Sequence, residues 1–401
     1  MIEVDKSGVG LEARIQRLFM SQGVFAERRL FPSASADHRM LATDVDVLIS
    51  EYASGFHVTR RHVECKGGRI KLLDRILWLS GVRKLLHADT SYLVVSDYET
   101  DASEFARSLD IQLLNVKQLE GWEAAIPVPQ GLWPCRSEYQ SYDKAKAVWT
   151  KLISSKQTDA HWQLLRKILG FIEIDSWLGF HYRDLNKLLR LIRELSRDYD
   201  RIRPDLHGQL CARYLFSALL VRLCQYLLAI CQDVTRLPAT DLRNYLDQRL
   251  IYGDQDPGHI SGLIDGTVKW VKQALEKEGK ALPPEIDIGR LYEAPPYAAE
   301  FFELTNRLLQ ESNDARYLAI AIETSQFGTP DVTSKFPRLQ TAATAGDSLA
   351  AVVKGFVLRA FSVPGSLAMP VSNDLRATYR TAAASLKKPK ENNQAQLPLH
   401  T

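Results

Sequence analysis

Cysteine is scarce in this chain and poorly spaced for structural work. The 401 residues hold five, Cys65, Cys135, Cys211, Cys224 and Cys231, an odd number with no CxxC pair. No disulfide framework or cysteine zinc site is indicated, and a reducing cytoplasm fits best. His38, His57, His62 and His87 lack metal-ligand spacing as well. Net charge is close to absent: 51 Lys and Arg against 48 Asp and Glu leave +3, which excludes an overall polycation. No internal repeat is evident. The N-terminal residues include acids and show no apolar signal core. The most apolar run, Leu210 to Val234, is interrupted by Arg213, Arg222 and Gln225. It reads as a buried helix rather than a membrane span, so no membrane partner is expected. What remains is the composition of an ordinary soluble globular protein, long enough for two or three domains at about 150 residues each.

The informative stretch runs from Thr43 to Lys66. In Thr43-Asp44-Val45-Asp46-Val47-Leu48-Ile49, the residues Val45, Val47 and Ile49 alternate with Asp44, Asp46 and Leu48. A period of two predicts a strand. In His62-Val63-Glu64-Cys65-Lys66, Val63 and Cys65 alternate with His62, Glu64 and Lys66. Ala53-Ser54-Gly55 between the two runs is a hairpin signal. Side chains two apart share a face, so Glu64 and Lys66 point the same way. A hairpin closing near Ser54 and Gly55 places Asp46 opposite Glu64 or one pair away.

Two carboxylates with oxygen ligands suit Mg²⁺, which keeps waters and accepts a substrate phosphate. A lysine beside them can orient a water and stabilise charge building on phosphorus. The plainer alternative is a surface ion pair between Lys66 and Asp46 or Glu64. Glu12 lies one position off the apolar stripe of the first predicted helix, Ser7 to Gln22. It is either a solvated first-turn acid that favours the helix dipole or a third carboxylate for the site.

Along the first part of the chain the pattern is helix, strand (Val24 to Leu30), hairpin, helix (Lys71 to Leu86), strand (Ser91 to Ser96), helix (Asp101 to Leu109) and strand (Ile111 to Val116). Phe31 to Leu41 reads as a loop. Strands alternating with helices after a hairpin predict a mixed sheet covered by helices.

A glutamate on the first helix, an aspartate on an apolar strand, Glu-x-Lys on the next, then a helix and an apolar strand: this order resembles the PD-(D/E)xK nuclease superfamily. The likeness is to archaeal Holliday-junction resolvases and the nuclease domain of Mrr-like type IV restriction enzymes. Thr43-Asp44-Val45-Asp46-Val47-Leu48 is similar to their Thr-Glu-Ile-Asp-Val-Leu signature, Glu64-Cys65-Lys66 matches Glu-x-Lys, and Glu12 matches the helix glutamate. The resemblance covers about the first 120 residues, on the usual domain-length prior. It implies a restriction-endonuclease-like α/β domain that hydrolyses phosphodiester bonds in DNA with Mg²⁺, Mn²⁺ substituting. Asp46 and Glu64 would bind the metal with the backbone carbonyl of Cys65. Lys66 would position the attacking water, and Glu12 would assist through metal-bound water. Asp44 sits where such enzymes often carry a second acid. The glutamine that Mrr-like domains carry on the following helix has no match between Gly67 and Trp78. By analogy the expected role is bacterial defence against foreign DNA. Alternatives are a junction-resolving or repair nuclease, and a catalytically inactive module that binds nucleic acid or protein.

Arg60, Arg61, Arg69, Lys71 and Arg75 surround the motif and are candidates for phosphate contacts, which position nucleic acid without reading its sequence. Gln118 to Tyr142 carries Pro127, Pro129, Gly131 and Pro134, a linker composition. The expected organisation is therefore a nuclease domain over residues 1–122, a linker over 123–141, an all-α region over 142–385 and a disordered tail over 386–401. Helices are predicted over Asp143 to Ser155, His161 to Phe171, Asp184 to Tyr199, Pro204 to Val234, Asp241 to Leu250, Glu300 to Glu311, Asp314 to Ser325 and Leu339 to Phe361. Asp256-Pro257-Gly258 reads as punctuation, and Phe327 to Pro337 as a loop. The helical region would recognise a target or the protein partners of a defence complex, and a homodimer is compatible with this reading.

Overall fold

The computed structural model describes residues 8–31, 43–68, 70–126, 159–172, 181–279 and 293–371. Helix α1 (Gly8–Ser21) carries Leu11, Ile15 and Leu18 on one buried face. The chain turns after it at Gly23, whose φ of +75° favours glycine. A Cβ there would also lie 2.9 Å from the Cβ of Ala342, so a far segment of the chain closes on this turn.

Strands β1 (Phe25–Leu30), β2 (Val45–Tyr52) and β3 (Val58–Cys65) follow. The hairpin joining β2 and β3 is closed by Ala53 N–H donating to His57 O at 2.8 Å. Helix α2 (Leu72–Leu85) leads to β4 (Thr90–Val95), and α3 (Thr100–Ser108) to β5 (Ile111–Asn115). The sheet order is β1-β2-β3-β4-β5, with antiparallel pairing from β1 to β3 and parallel pairing from β3 to β5. Parallel neighbours need a crossover, which α2 and α3 supply. The expected mixed sheet flanked by helices is present.

Both faces of the sheet are covered. Val47, Ile49, Val63, Cys65 and Val94 pack with Leu11 and Ile15 of α1 in the main core. On the other face Leu93, Val95 and Leu113 meet Ile76 and Leu79 of α2, while Leu48 meets Val82 and Leu86.

Helix α4 (Val116–Ala125) begins directly after β5. Its last residues, 123–125, fall where the linker was expected, and 127–141 lie outside the described residues. The start of α4 is a capping box: Gln118 N–H donates to Asn115 Oδ1, and Asn115 N–H to Gln118 Oε1, both at 2.9 Å. The predicted helix over Asp143 to Ser155 and the tail 386–401 also lie outside the described residues.

The C-terminal region is helical. It comprises α5 (Ala160–Gly170), α6 (His181–Ile202), α7 (Leu206–Val234), α8 (Ala239–Tyr252), α9 (Pro257–Lys277), α10 (Ala298–Gln310), α11 (Ser312–Ala315), α12 (Leu318–Phe327), α13 (Pro330–Thr333) and α14 (Pro337–Ala360). Three details differ from the sequence reading. Asp256-Pro257 is a helix start, with Asp256 Oδ1 accepting His259 N–H at 2.8 Å and Pro257 in the first turn of α9. The single helix expected over Asp314 to Ser325 is broken into α11 and α12. The expected loop from Phe327 to Pro337 contains α13.

By length and composition α7 and α14 could each cross a membrane, but 94% of the apolar window of α7 is buried inside the chain. Helices α5, α6, α10 and α12 surround it. Its interrupting polar residues are internal anchors. Arg213 donates to Pro370 O, and Ser217 Oγ to Gln326 Oε1 at 3.1 Å. Arg222 reaches Glu27 on β1 at 3.0 Å. The sheet and the helices, expected as separate domains, thus share one apolar core that runs from Leu11 to Val371.

Candidate active site at the open end of the hairpin

The hairpin register decides what meets at its open end. Val47 stands opposite Val63 and Leu48 opposite His62, so the next pair is Asp46 with Glu64. Because side chains alternate, Asp46, Leu48, His62 and Glu64 share a face. Leu48 packs beneath α2, which places the carboxylates on the α2 side. Lys66 follows β3, and its N–H extends the ladder by donating to Val94 O at 2.9 Å. Its Nζ lies 2.5 Å from Glu64 Oε1 and 3.5 Å from Asp46 Oδ2. Asp46, Glu64 and Lys66 therefore come together.

Asp46 is fixed by the backbone, since its Oδ2 accepts the Cys65 N–H at 2.7 Å. Burial raises its pKa; the Cys65 N–H and the Lys66 ammonium offset part of that, and the exposed Asp44 raises it again. Glu64 is fully buried. Its Oε1 is shared by Lys66 and Arg75, while its buried Oε2 accepts no hydrogen bond. Arg75 reaches over from α2 with its guanidinium carbon 3.7 Å from the ring centre of Trp78.

Glu12, on α1, is buried and takes Arg29 Nε at 3.2 Å. Burial raises its pKa, the charge of Asp46 raises it further, and Arg29 lowers it. It is thus within electrostatic reach of Asp46 while holding a cation of its own. Arg29 is the residue that sequence reasoning missed. With Arg28 opposite Val47 and Leu30 opposite Val45, it falls beside Asp46. Its φ of +55° is uncommon for a non-glycine residue and argues for a functional constraint on that position. Two adjacent arginines on a strand, one of which must leave the regular alternation, are the signal in the sequence.

The basic residues proposed for phosphate contact separate into groups. Arg75 is engaged with Glu64, and Lys71 is exposed before α2. Arg60 and Arg61 lie toward the turn end of β3, with Arg61 about 10 Å of strand from Glu64. Arg61 pairs with Glu51 at 2.6 Å. Arg69 lies outside the described residues. His62 shares the Glu64 face and is buried. Burial, then the charges of Arg75 and Lys66, lower its pKa to about 3, so it is neutral near pH 7.

The donors present fit a hard divalent cation. Asp46 and Glu64 supply carboxylate oxygens, and Glu64 Oε2 is a buried acceptor without a hydrogen-bond donor. Among the described residues no group of three His, Cys, Asp or Glu side chains could hold a metal. A site here would use two side chains and a backbone oxygen, with remaining positions open to water and substrate, the ligand economy that suits Mg²⁺. Comparison with protein-family models, with curated proteins and with solved structures finds no match for this chain.

Proposed function

We propose that the chain is a metal-dependent nuclease that hydrolyses phosphodiester bonds in DNA. The observation that carries this reading is the meeting of Asp46 and Glu64 across the β2–β3 ladder with the Lys66 ammonium against both. Asp46 and Glu64 would hold the cation, and the Cys65 N–H fixes the Asp46 carboxylate in place. Bound Mg²⁺ supplies Lewis-acid polarisation of a phosphoryl oxygen. Lys66 orients the attacking water and stabilises the negative charge that grows on the phosphoryl oxygens. Glu12 lies within electrostatic reach of Asp46 and is itself paired with Arg29. Hydrolysis adds one water across a P–O bond and leaves a hydroxyl and a phosphate monoester. DNA as the substrate rests on the motif resemblance to PD-(D/E)xK nucleases.

A second reading, a sheet that binds but does not cleave, is favoured by one contact. Arg75 and Lys66 already neutralise Glu64 without any metal. One assay separates the two. The full chain is incubated with supercoiled, linear and single-stranded DNA and with RNA, in Mg²⁺, Mn²⁺ or EDTA. Cleavage of DNA that needs the metal and disappears in Lys66→Ala supports the nuclease. Retention of nucleic acid with no cleavage supports the binding module.

A further inference from the structure

His62 is fully buried in the sheet, on the face that α2 covers. It stands between Leu48 on β2 and Ser91 on β4, and Ser91 is fully buried as well. The apolar groups nearby belong to two separate clusters, Leu48 with Val82 and Leu93 with Ile76 and Leu79. Apolar side chains at 62 and 91 would suit that setting. An imidazole and a hydroxyl lie there instead. Among the described residues, the two ring nitrogens and the Ser91 Oγ have no hydrogen-bond partner. Two more unpaired polar atoms border the same place. They are Glu64 Oε2, two residues along β3, and Nε of Arg75, whose guanidinium lies on Glu64. Buried polar groups are as a rule hydrogen-bonded, and ordered water is the partner where protein is not.

The chemistry of these atoms fits a water better than a second ion. The His62 ring is neutral near pH 7, so it offers one N–H donor and one acceptor. Glu64 Oε2 accepts, Arg75 Nε donates, and a serine hydroxyl does both. A buried water needs two to four such partners, and this mixed set supplies them. The positive charges of Arg75 and Lys66 act on the His62 ring, which disfavours a cation bound to it. The reach fits too. Side chains two apart on a strand point the same way from backbone positions about 6.6 Å apart. A water bonded on both sides spans about 5.6 Å between heavy atoms.

We propose that His62 is a positioning residue of the metal site: with Ser91 it holds an ordered water that hydrogen-bonds Glu64 Oε2 and fixes the orientation of that carboxylate. A carboxylate oxygen carries two lone pairs, so the water takes one and leaves the other to the cation. Glu64 Oε1 is held by Lys66 and Arg75. When a cation takes the place of Arg75, the water keeps Glu64 in its orientation, as the outer partners of metal ligands do. The proposal rests on the nuclease reading only in taking Glu64 as a ligand.

Titration calorimetry of Mn²⁺ with the full chain, without nucleic acid, tests it beside thermal midpoints in EDTA. His62→Leu/Ser91→Ala should bind Mn²⁺ about ten-fold more weakly than the wild type, the usual effect of losing an outer partner. Its midpoint in EDTA should not fall, because the imidazole and the hydroxyl leave together and apolar neighbours flank them. His62→Gln keeps a donor and an acceptor and should recover most of the affinity. Ser91→Ala alone removes one oxygen and should weaken binding less, in the same direction. Crystals of the metal-free chain should show a water within hydrogen-bond distance of Glu64 Oε2 and a His62 nitrogen. A dry contact there, or variants that bind Mn²⁺ as tightly as a wild type that binds it, overturns the proposal and leaves the metal site standing. So does a loss of affinity that His62→Gln fails to restore. A wild-type chain that binds no Mn²⁺ overturns the metal site itself, and this proposal with it.

Discussion

The guanidinium of Arg75 rests on the carboxylate of Glu64, the residue that would hold a metal with Asp46. It shares Oε1 with Lys66 and leaves Oε2 without a donor. An incoming cation therefore meets a positive charge already in place, stacked on Trp78. Removing that charge should favour the metal. In Arg75→Ala the dissociation constant for Mn²⁺, measured by titration calorimetry without nucleic acid, should fall about ten-fold, roughly 1.4 kcal/mol. Weaker Mn²⁺ binding in this variant would show that Arg75 organises Glu64 rather than competing for it.

Lys66 differs from Arg75 in touching both carboxylates. Its side chain is partly exposed at the end of β3, so Lys66→Ala opens no large core cavity and the fold should persist. The stabilisation it gives is greatest where charge develops, so the loss should fall on turnover, by about 10²–10³-fold, on the scale of one preorganised donor. Mn²⁺ affinity should be kept or improved. A Lys66→Ala chain that cleaves DNA at the wild-type rate ends this assignment.

Asp46 carries a pH signature. A carboxyl whose pKa is raised on folding stabilises the fold fully below its unfolded pKa, about 3.9, and loses that contribution as pH rises through the raised folded value. Asp46 is raised chiefly by burial, so its ionised form at pH 7 costs the metal-free protein stability. Asp46→Asn keeps an acceptor for the Cys65 N–H and removes the charge. Its thermal midpoint in EDTA should lie above the wild type at pH 7, and the gap should close as the pH approaches 4. Mg²⁺ should then raise the midpoint of the wild type and not of the variant. A variant less stable than wild type at pH 7 in EDTA would mean that the ion pair with Lys66 outweighs burial.

The hairpin was legible because strand alternation and a turn near Ser54 and Gly55 are enough to set the register to within one pair, and the observed pairing brings Asp46 opposite Glu64. The arginine on Glu64 was not. Which residue of α2 reaches over the end of β3 depends on how that helix is rotated about its axis, and α2 has no sharp apolar stripe to fix it. Sequence proximity likewise grouped Arg61 with the motif, whereas an extended chain carries it about 10 Å away. Helices α4 and α9 were missed for a shared reason. Asn, Asp and Pro can start a helix as well as end an element; Asp256-Pro257 reads as punctuation alone and Asn115 as the interior of a strand, whereas each caps a helix. The common core was hidden because Arg222 shows as an interruption in an apolar run, while its partner Glu27 is 195 residues away.

That pair gives the sharpest test of how the sheet and the helices are joined. The side chains of Arg222 and Glu27 are 4% and 9% exposed. Gln225 Nε2 donates to the same Glu27 oxygen at 2.9 Å, and Arg222 also donates to Gln225 Oε1 at 2.6 Å. Arg222→Ala leaves the Glu27 carboxylate buried with its main cation gone, a change that costs about 3–5 kcal/mol. Glu27→Gln/Arg222→Met removes both charges and keeps volume, and buried pairs replaced this way are often neutral. Urea unfolding of Glu27→Gln, Arg222→Met and their double should therefore show strong non-additivity, with the double variant more stable than Arg222→Ala. Additive effects below about 1 kcal/mol would mean that water reaches the pair and that apolar packing alone joins β1 to α7.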